Sequence, residues 1–319
     1  MPKFLLFDLV FGMYYNGIGD KMKIFCVGNS AYDITTPLDE FPKENTKYRF
    51  HEQIECGGGS AGNAAYLLAK WGMDVSFVGI VGKDVYGKRI KDEFKEIGVN
   101  IKYLYSSDDY RTISSHIIVN KSNGSRTILS YQANSNEMPD VDIKEEIDIL
   151  FLDGHEYNMS KKLIEQHPSA IVIIDAGRDC EEVKELCKLS DYVACSKNFM
   201  ELVSGITFDS KSNLELSFNK LESLFNTHII VTLEDAGCAY RNSLNQVEII
   251  PSIKVKAIDT TGAGDIFHGA FVYGIVKNWS MDKILRFSNV AGAMSVTKMG
   301  GRNSIFSLKE IEEAYNEIK

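Results

Sequence analysis

Strands alternate with amphipathic helices along most of this chain. That pattern predicts an α/β fold: a mostly parallel central sheet flanked by helices on both faces, with a small β-sheet lid. Three observations carry the prediction. Short, wholly apolar runs such as Ile24-Phe25-Cys26-Val27 and Ile149-Leu150-Phe151-Leu152 read as strands covered on both sides. Helical segments separate successive runs, as a parallel sheet requires. Glycine-rich turns follow several strands, at the carboxyl edge where such sheets bind ligands.

In order, Ile24–Gly28 is the first strand, and Gly57–Asn63 is a glycine-rich loop leading into a helix from about Ala64 to Trp71. Val75–Val81 is a strand and Gly87–Ile97 a helix. Ile149–Leu152, Ala170–Ile174 and Tyr192–Cys195 are strands, with helices at Lys161–Gln166 and Glu181–Leu189 between them. A helix near Leu214–Phe225, the strand His228–Leu233, and helices after Gly264 and near Met281–Thr297 complete the series. Two stretches depart from it. Lys47–Ile54 alternates like a strand, and Thr112–Val119 with Arg126–Tyr131 reads as a hairpin around Asn123-Gly124. They place a lid at about 33–56 and 110–132, able to exclude water from the ligand edge.

The 319 residues, 44% hydrophobic and 25% charged, suit one large α/β domain or two smaller ones. A net charge of −9 argues against a nucleic-acid partner. The six cysteines form no Cys-x-x-Cys pair and read as reduced core thiols of a cytoplasmic protein. Asp8 interrupts the apolar stretch Phe4–Phe11, and no clean cleavage site follows, so a secretion signal is not expected. Met22 directly precedes the first strand, so residues 1–21 are expected to be a non-essential extension of a domain spanning 22–319. No run is apolar for long enough to span a membrane, and no membrane partner is expected.

The most informative stretch is Asp259-Thr260-Thr261-Gly262-Ala263-Gly264-Asp265, which leads into an apolar helix. A turn of small residues at a helix start exposes unpaired backbone N–H groups, which favour an anion. Asp265 stands beside that cradle. A carboxylate that accepts a hydroxyl proton, next to donors that hold a moving phosphoryl group, suits phosphoryl transfer to an alcohol.

A second signature runs from Gly58-Gly59-Ser60-Ala61-Gly62-Asn63 to Val78–Gly87. Both signatures, in this order, closely resemble the ribokinase (PfkB) family of carbohydrate kinases, over nearly the whole chain from Met22. The resemblance implies a ribokinase-like fold and Mg2+- and ATP-dependent phosphorylation of a sugar or nucleoside hydroxyl. It makes Asp265 the catalytic base and Gly262, Ala263 and Gly264 the anion hole. It makes Asp33, Gly58, Gly59 and Asn63 the sugar-binding set; a carboxylate can accept from two neighbouring hydroxyls. Asn198 and Glu201 match the family's Asn-x-x-Glu motif, with Asn198 at the nucleotide and Glu201 holding Mg2+ through water. Thr232 and Gly237 match the nucleotide loop, although Glu234 stands where the family commonly has glycine. Asp259, Thr261, Gly300 and Ser304 resemble its K+ site, and relatives often form homodimers through the lid.

Gly82–Arg89 nearly spells a Walker A loop, but Arg89 replaces the Ser or Thr that would reach Mg2+. Ser60 stands where many relatives carry lysine, and with the acidic chain this favours a free sugar as substrate. A nucleoside kinase of the same family and a non-catalytic sugar-binding regulator are the alternatives.

Overall fold

The computed structural model describes residues 22–131 and 138–318. The expected extension at 1–21, and residue 132 at the end of the expected lid, lie outside the described residues. In chain order the elements are β1 (Lys23–Val27), β2 (Ala31–Leu38), β3 (Ile54–Gly58), α1 (Ser60–Lys70), β4 (Asp74–Gly82), α2 (Val85–Ile97), β5 (Asn100–Ser107), β6 (Ser114–Asn120) and β7 (Arg126–Tyr131). There follow β8 (Ile149–Leu152), α3 (Tyr157–Gln166), β9 (Ile171–Ala176), α4 (Glu181–Leu189), β10 (Tyr192–Ser196), α5 (Lys197–Ser204) and α6 (Lys211–Phe225). The last are β11 (His228–Thr232), β12 (Cys238–Arg241), β13 (Val247–Ile250), α7 (Ala263–Val276), α8 (Met281–Ser295) and α9 (Leu308–Glu317).

The main sheet has the order β13-β12-β11-β10-β9-β8-β1-β4-β5. It is parallel from β5 to β11, and β12 and β13 close one edge antiparallel. Side chains of a strand alternate between faces, and each face here has its own core. Ile24, Cys26, Ile149, Phe151, Ile171 and Ile173 pack in one cluster with residues of α1, α7 and α8. Phe25, Val27, Leu150, Leu152, Val172 and Ile174 pack in the other with residues of α3–α6. The strands are therefore wholly apolar rather than alternating, as the sequence pattern requires. The order reverses direction at β1/β8, which makes a crevice at their carboxyl ends the natural ligand position.

The second sheet has the order β3-β2-β6-β7. β2 pairs antiparallel with β3 and parallel with β6, and β6 pairs antiparallel with β7. The expected hairpin is present, turned by Lys121–Ser125, where the Gly124 N–H donates to Asn120 O (2.8 Å) and Gly124 takes a left-handed φ of +72°. The expected strand at Lys47–Ile54 is not. Residues 47–53 form no strand, and pairing starts only at Ile54. The alternation there had no buried face to serve: Tyr48 is half-buried and Phe50 is 47% exposed. The strand that fills this part of the sheet is β2. The helix expected from Ala64 starts at Ser60, so the glycine loop ends inside the first turn of α1.

The near-Walker segment is a structural joint. Asp84 caps α2 by accepting from the Gly87 N–H (2.8 Å), and also accepts from the Thr112 N–H (2.9 Å) and hydroxyl (2.8 Å). It thereby pins the approach to β6. Lys83 pairs with Asp108, and Arg89 with Glu55. Among the described residues, no helix is long and apolar enough to cross a membrane.

Candidate active site

α7 begins at a sharp turn. Gly262 is its N-cap and has φ +75°, a left-handed conformation that glycine adopts without strain. Its carbonyl accepts the Ile266 N–H at 2.9 Å, while the Ala263 N–H makes only a 3.5 Å contact with Thr260 O. The first-turn amides are thus left for an outside acceptor. A Cβ placed on Gly264 would meet nothing within 4 Å, so the space before the turn is open.

Residues far apart in sequence converge here. Asn63, in the first turns of α1, donates from Nδ2 to Asp265 Oδ2 at 2.7 Å. The Oδ1 of Asn63 is buried without a partner. A Cβ on Gly301 would lie 3.6 Å from Asn63 Nδ2 and 3.8 Å from Asp33 Oδ2, which puts both beside the same loop. On Gly58 it would strike the Asp33 carboxylate at 2.1 Å, so glycine is required for Asp33 to lie against that strand. Asp33 is 6% exposed. Burial raises its pKa to about 6 against the pull of Arg302, with smaller upward pushes from Asp265 and Asp259. Burial and then the Asp175 charge push Asp265 up to about 6, while Asn63, His268 and Ser60 pull it back.

Three buried struts hold these loops. Arg302 donates to Glu93 (2.9 Å), Ser30 Oγ (3.0 Å) and Gly58 O (3.2 Å), and stacks over Phe94. Glu93 in turn accepts the Gly57 N–H at 2.9 Å. Asp153, just past β8, accepts from the N–H groups of Asn29 (2.8 Å), Ala61 (3.1 Å) and His155 (3.0 Å). It ties the turns after β1 and β3 together at the point where the strand order reverses. Asp259 accepts from the Thr261 N–H (2.9 Å) and hydroxyl (2.7 Å) with Oδ1, and from the Gly300 N–H (2.9 Å) with Oδ2. Ser304 donates from its N–H to Gly300 O at 3.0 Å. The four residues expected at a K+ site are therefore neighbours.

The expected nucleotide residues lie along the same sheet edge. Thr232 ends β11 opposite Ser196, and Ser196 caps α5, whose first turns carry Asn198 and Glu201. Glu201 Oε1 accepts the Phe208 N–H at 2.8 Å. Gly237 has φ +104°, and a Cβ there would strike Ile250 O at 2.1 Å, so the fold itself demands glycine. Glu234 holds φ +57° and is exposed. This left-handed conformation is one that glycine adopts without strain.

The family model for pfkB family carbohydrate kinases matches residues 21–307. The chain belongs to the pfkB family of carbohydrate kinases. Enzymes of this family are phosphotransferases with an alcohol acceptor. The chain is 25% identical to a ribokinase of Lactococcus lactis, over 93% of its own length and 98% of the relative's. It is 28% identical to a nucleoside kinase of Methanocaldococcus jannaschii, over 83% and 88%. A putative ribokinase from Agrobacterium tumefaciens superposes with a TM-score of 0.84 at 25% identity, covering 94% of this chain and 99% of that one.

Arg302, Glu93, Asp153, Asp175 and His268 escaped the sequence reading. Arg302 and Glu93 are 209 residues apart, and a single sequence carries no signal that joins them. Asp153 directly follows β8 and Asp175 is the penultimate residue of β9, but a lone acid at the end of an apolar run carries no signal of its partner.

Proposed function

We propose that this pfkB-family kinase is a cytoplasmic enzyme that phosphorylates a hydroxyl of a free sugar with ATP, using Asp265 as general base. The observation that carries this reading is the Asn63–Asp265 hydrogen bond at the mouth of the Gly262 turn. It fixes the carboxylate beside open backbone donors, with the bare Asn63 Oδ1 available to a substrate hydroxyl. Asp33, Gly58 and Gly59 hold neighbouring hydroxyls of the sugar. Asp265 takes the proton as the hydroxyl oxygen bonds to the γ-phosphorus. The bond from that phosphorus to the β–γ bridging oxygen breaks, and ADP leaves. The N–H groups of Gly262, Ala263 and Gly264 stabilise the charge on the transferring group. A base pushed up to about 6 stays ionised at neutral pH yet accepts a proton more readily than an ordinary aspartate.

Asn198, Thr232 and the turn at Gly237 line the nucleotide end. Glu201, with one oxygen spent on Phe208, keeps the other for a water of Mg2+, which supplies charge neutralisation at the phosphates. Asp259, Thr261, Gly300 and Ser304 are suited to a loosely held K+, although the hydrogen bonds already account for Asp259 as a strut. The small sheet, built from about 31–58 and 114–131, serves as the lid. β7 forms its edge and exposes Ile128, Leu129 and Tyr131; a homodimer through this face would cover them.

A free sugar is favoured over a sugar phosphate because Asp33, Asp259 and Asp265 already crowd the pocket with negative charge. Arg302, the cation beside Asp33, spends its guanidinium on protein groups. The likeness to the M. jannaschii nucleoside kinase supports a nucleoside as the second reading. An ADP-release assay with Mg2+, K+ and ATP across free sugars, sugar phosphates and nucleosides separates the two. In the same assay Asp265→Asn is expected to keep fold and sugar binding while kcat falls by roughly two to four decades. A near-normal kcat would sink the assignment.

A further inference from the structure

His268 follows Asp265 by three residues in α7, so the two side chains leave the same side of the helix. Asp175 shares with Ile171 and Ile173 the β9 face turned toward α7. His268 Nδ1 lies 2.9 Å from Asp175 Oδ2, a close charge pair, although neither ring nitrogen has a well-aligned hydrogen-bond partner. Both residues are buried, at 3% and 9% exposure. An unpaired carboxylate so placed would repel the charge on Asp265 through a medium that screens poorly.

We propose that His268 is a positioning residue for the phosphoryl-transfer base: as an imidazolium it neutralises Asp175, leaving Asp265 the ionised carboxylate at the anion turn. This rests on the reading of Asp265 as the base. The groups facing the pair are few; Cys195 of neighbouring β10 also senses Asp175, and burial above all keeps it a neutral thiol. Asp175 from β9 and Asp265 from α7 both favour the charged imidazole, and together they override the burial that would otherwise lower its pKa. From α1, Asn63 and Ser60 reach Asp265 and carry no charge. Among the charges on α8, Arg286 pairs with Asp282 and Lys283 sits over Trp279. Beyond Asp265 lies Asp33, which senses the Asp265 charge.

The test is 15N-histidine NMR against pH on the full chain, with His268 assigned from the signal lost in His268→Asn. An unstructured histidine peptide in the same buffer serves as the reference. The His268 midpoint is expected above it, and Asp175→Asn is expected to bring it down to the reference or lower. A midpoint below the reference, or one that Asp175→Asn leaves in place, overturns the proposal. A kinetic arm uses whichever of D-ribose, D-fructose and inosine gives most ADP with Mg2+ and ATP. There His268→Asn should move the acid limb of kcat up by about one pH unit, lowering kcat about fivefold at pH 6 with KM little changed. The double variant Asp175→Asn/His268→Asn should move the limb back, because both charges are gone. A purely structural role would lower thermal stability and leave the limb in place. If Asp265→Asn turns over normally, the base reading fails, and the NMR midpoint still decides whether His268 is the counter-charge of Asp175.

Discussion

Asp33→Asn should stabilise the fold while damaging the enzyme. Asp33 is 6% exposed, and burial lifts its pKa from 3.8 to about 6 despite Arg302 nearby. A rise of about two units means that ionising Asp33 in the folded state costs about 3 kcal/mol more than in the unfolded chain. Between about pH 4 and 6 the folded protein binds more protons than the unfolded one, so this contribution to stability falls as pH rises through that window. Above pH 6 the full penalty stands. Asparagine keeps the shape and removes the charge, so the variant should gain up to about 3 kcal/mol at pH 7.5, and the gain should vanish near pH 4. Urea unfolding of both proteins at the two pH values measures this directly, with equal m-values as the control. On the proposed reading of Asp33 as the acid that grips a sugar diol, sugar KM should rise. A variant less stable than the parent at pH 7.5 would refute the reasoning, since the Arg302–Asp33 attraction would then outweigh burial. An equal difference at both pH values would refute it as well.

Three further expectations accompany it. With Asp33 and Asp265 both near 6 and both required ionised, kcat/KM should fall about a hundredfold from its plateau to pH 5, and about tenfold if only one of them matters. The acid-limb slope, two or one, tells these apart. Glu234→Gly removes a non-glycine residue from φ +57° and should stabilise by about 1 kcal/mol without raising ATP KM; a lower urea midpoint would contradict the strain argument. Arg126 of β7 donates to Thr260 Oγ1 at 2.5 Å, joining the hairpin to the loop before the anion turn. Losing that exposed bond in Arg126→Ala should leave the thermal midpoint nearly unchanged and lower kcat/KM about fivefold. An unchanged kcat/KM would show that the hairpin and the turn act independently.

What the sequence displayed and what it hid divide along a physical line. The parallel strands were legible because burial on both faces makes them continuous apolar runs. The turn at Gly262 was legible because a left-handed N-cap and an open first turn select small residues. β2 was not, since Asp33, Thr35 and Pro37 alternate along Ala31–Leu38 with Tyr32 and Ile34, and only those last two join the hydrophobic core, so no continuous apolar run marks the strand. Lys47–Ile54 misled for the opposite reason: it has the alternation of a strand and no partner strand or buried face to use it. Pairs such as Arg302–Glu93 and His268–Asp175 depend on the tertiary meeting of elements, which local patterns do not encode.

The acids of the site illustrate how one residue type is given several tasks. Asp153 and Asp259 both fill their oxygens with N–H and O–H donors, and so act as braces. Despite complete burial, Asp153 is held below the usual aspartate range, because His155 and the amides around it outweigh desolvation. Asp33 and Asp265 receive fewer donors and sit higher, near 6, where a carboxylate retains basicity for a substrate. The difference lies in what each carboxylate still has to offer. The two braces have donors on both oxygens already, whereas on the proposed reading Asp33 and Asp265 carry an unmet demand that a sugar's hydroxyls would satisfy. Binding sugar would thus supply the hydrogen bonds missing from the folded protein, which is why stability gained by Asp33→Asn and affinity lost by it should have the same origin.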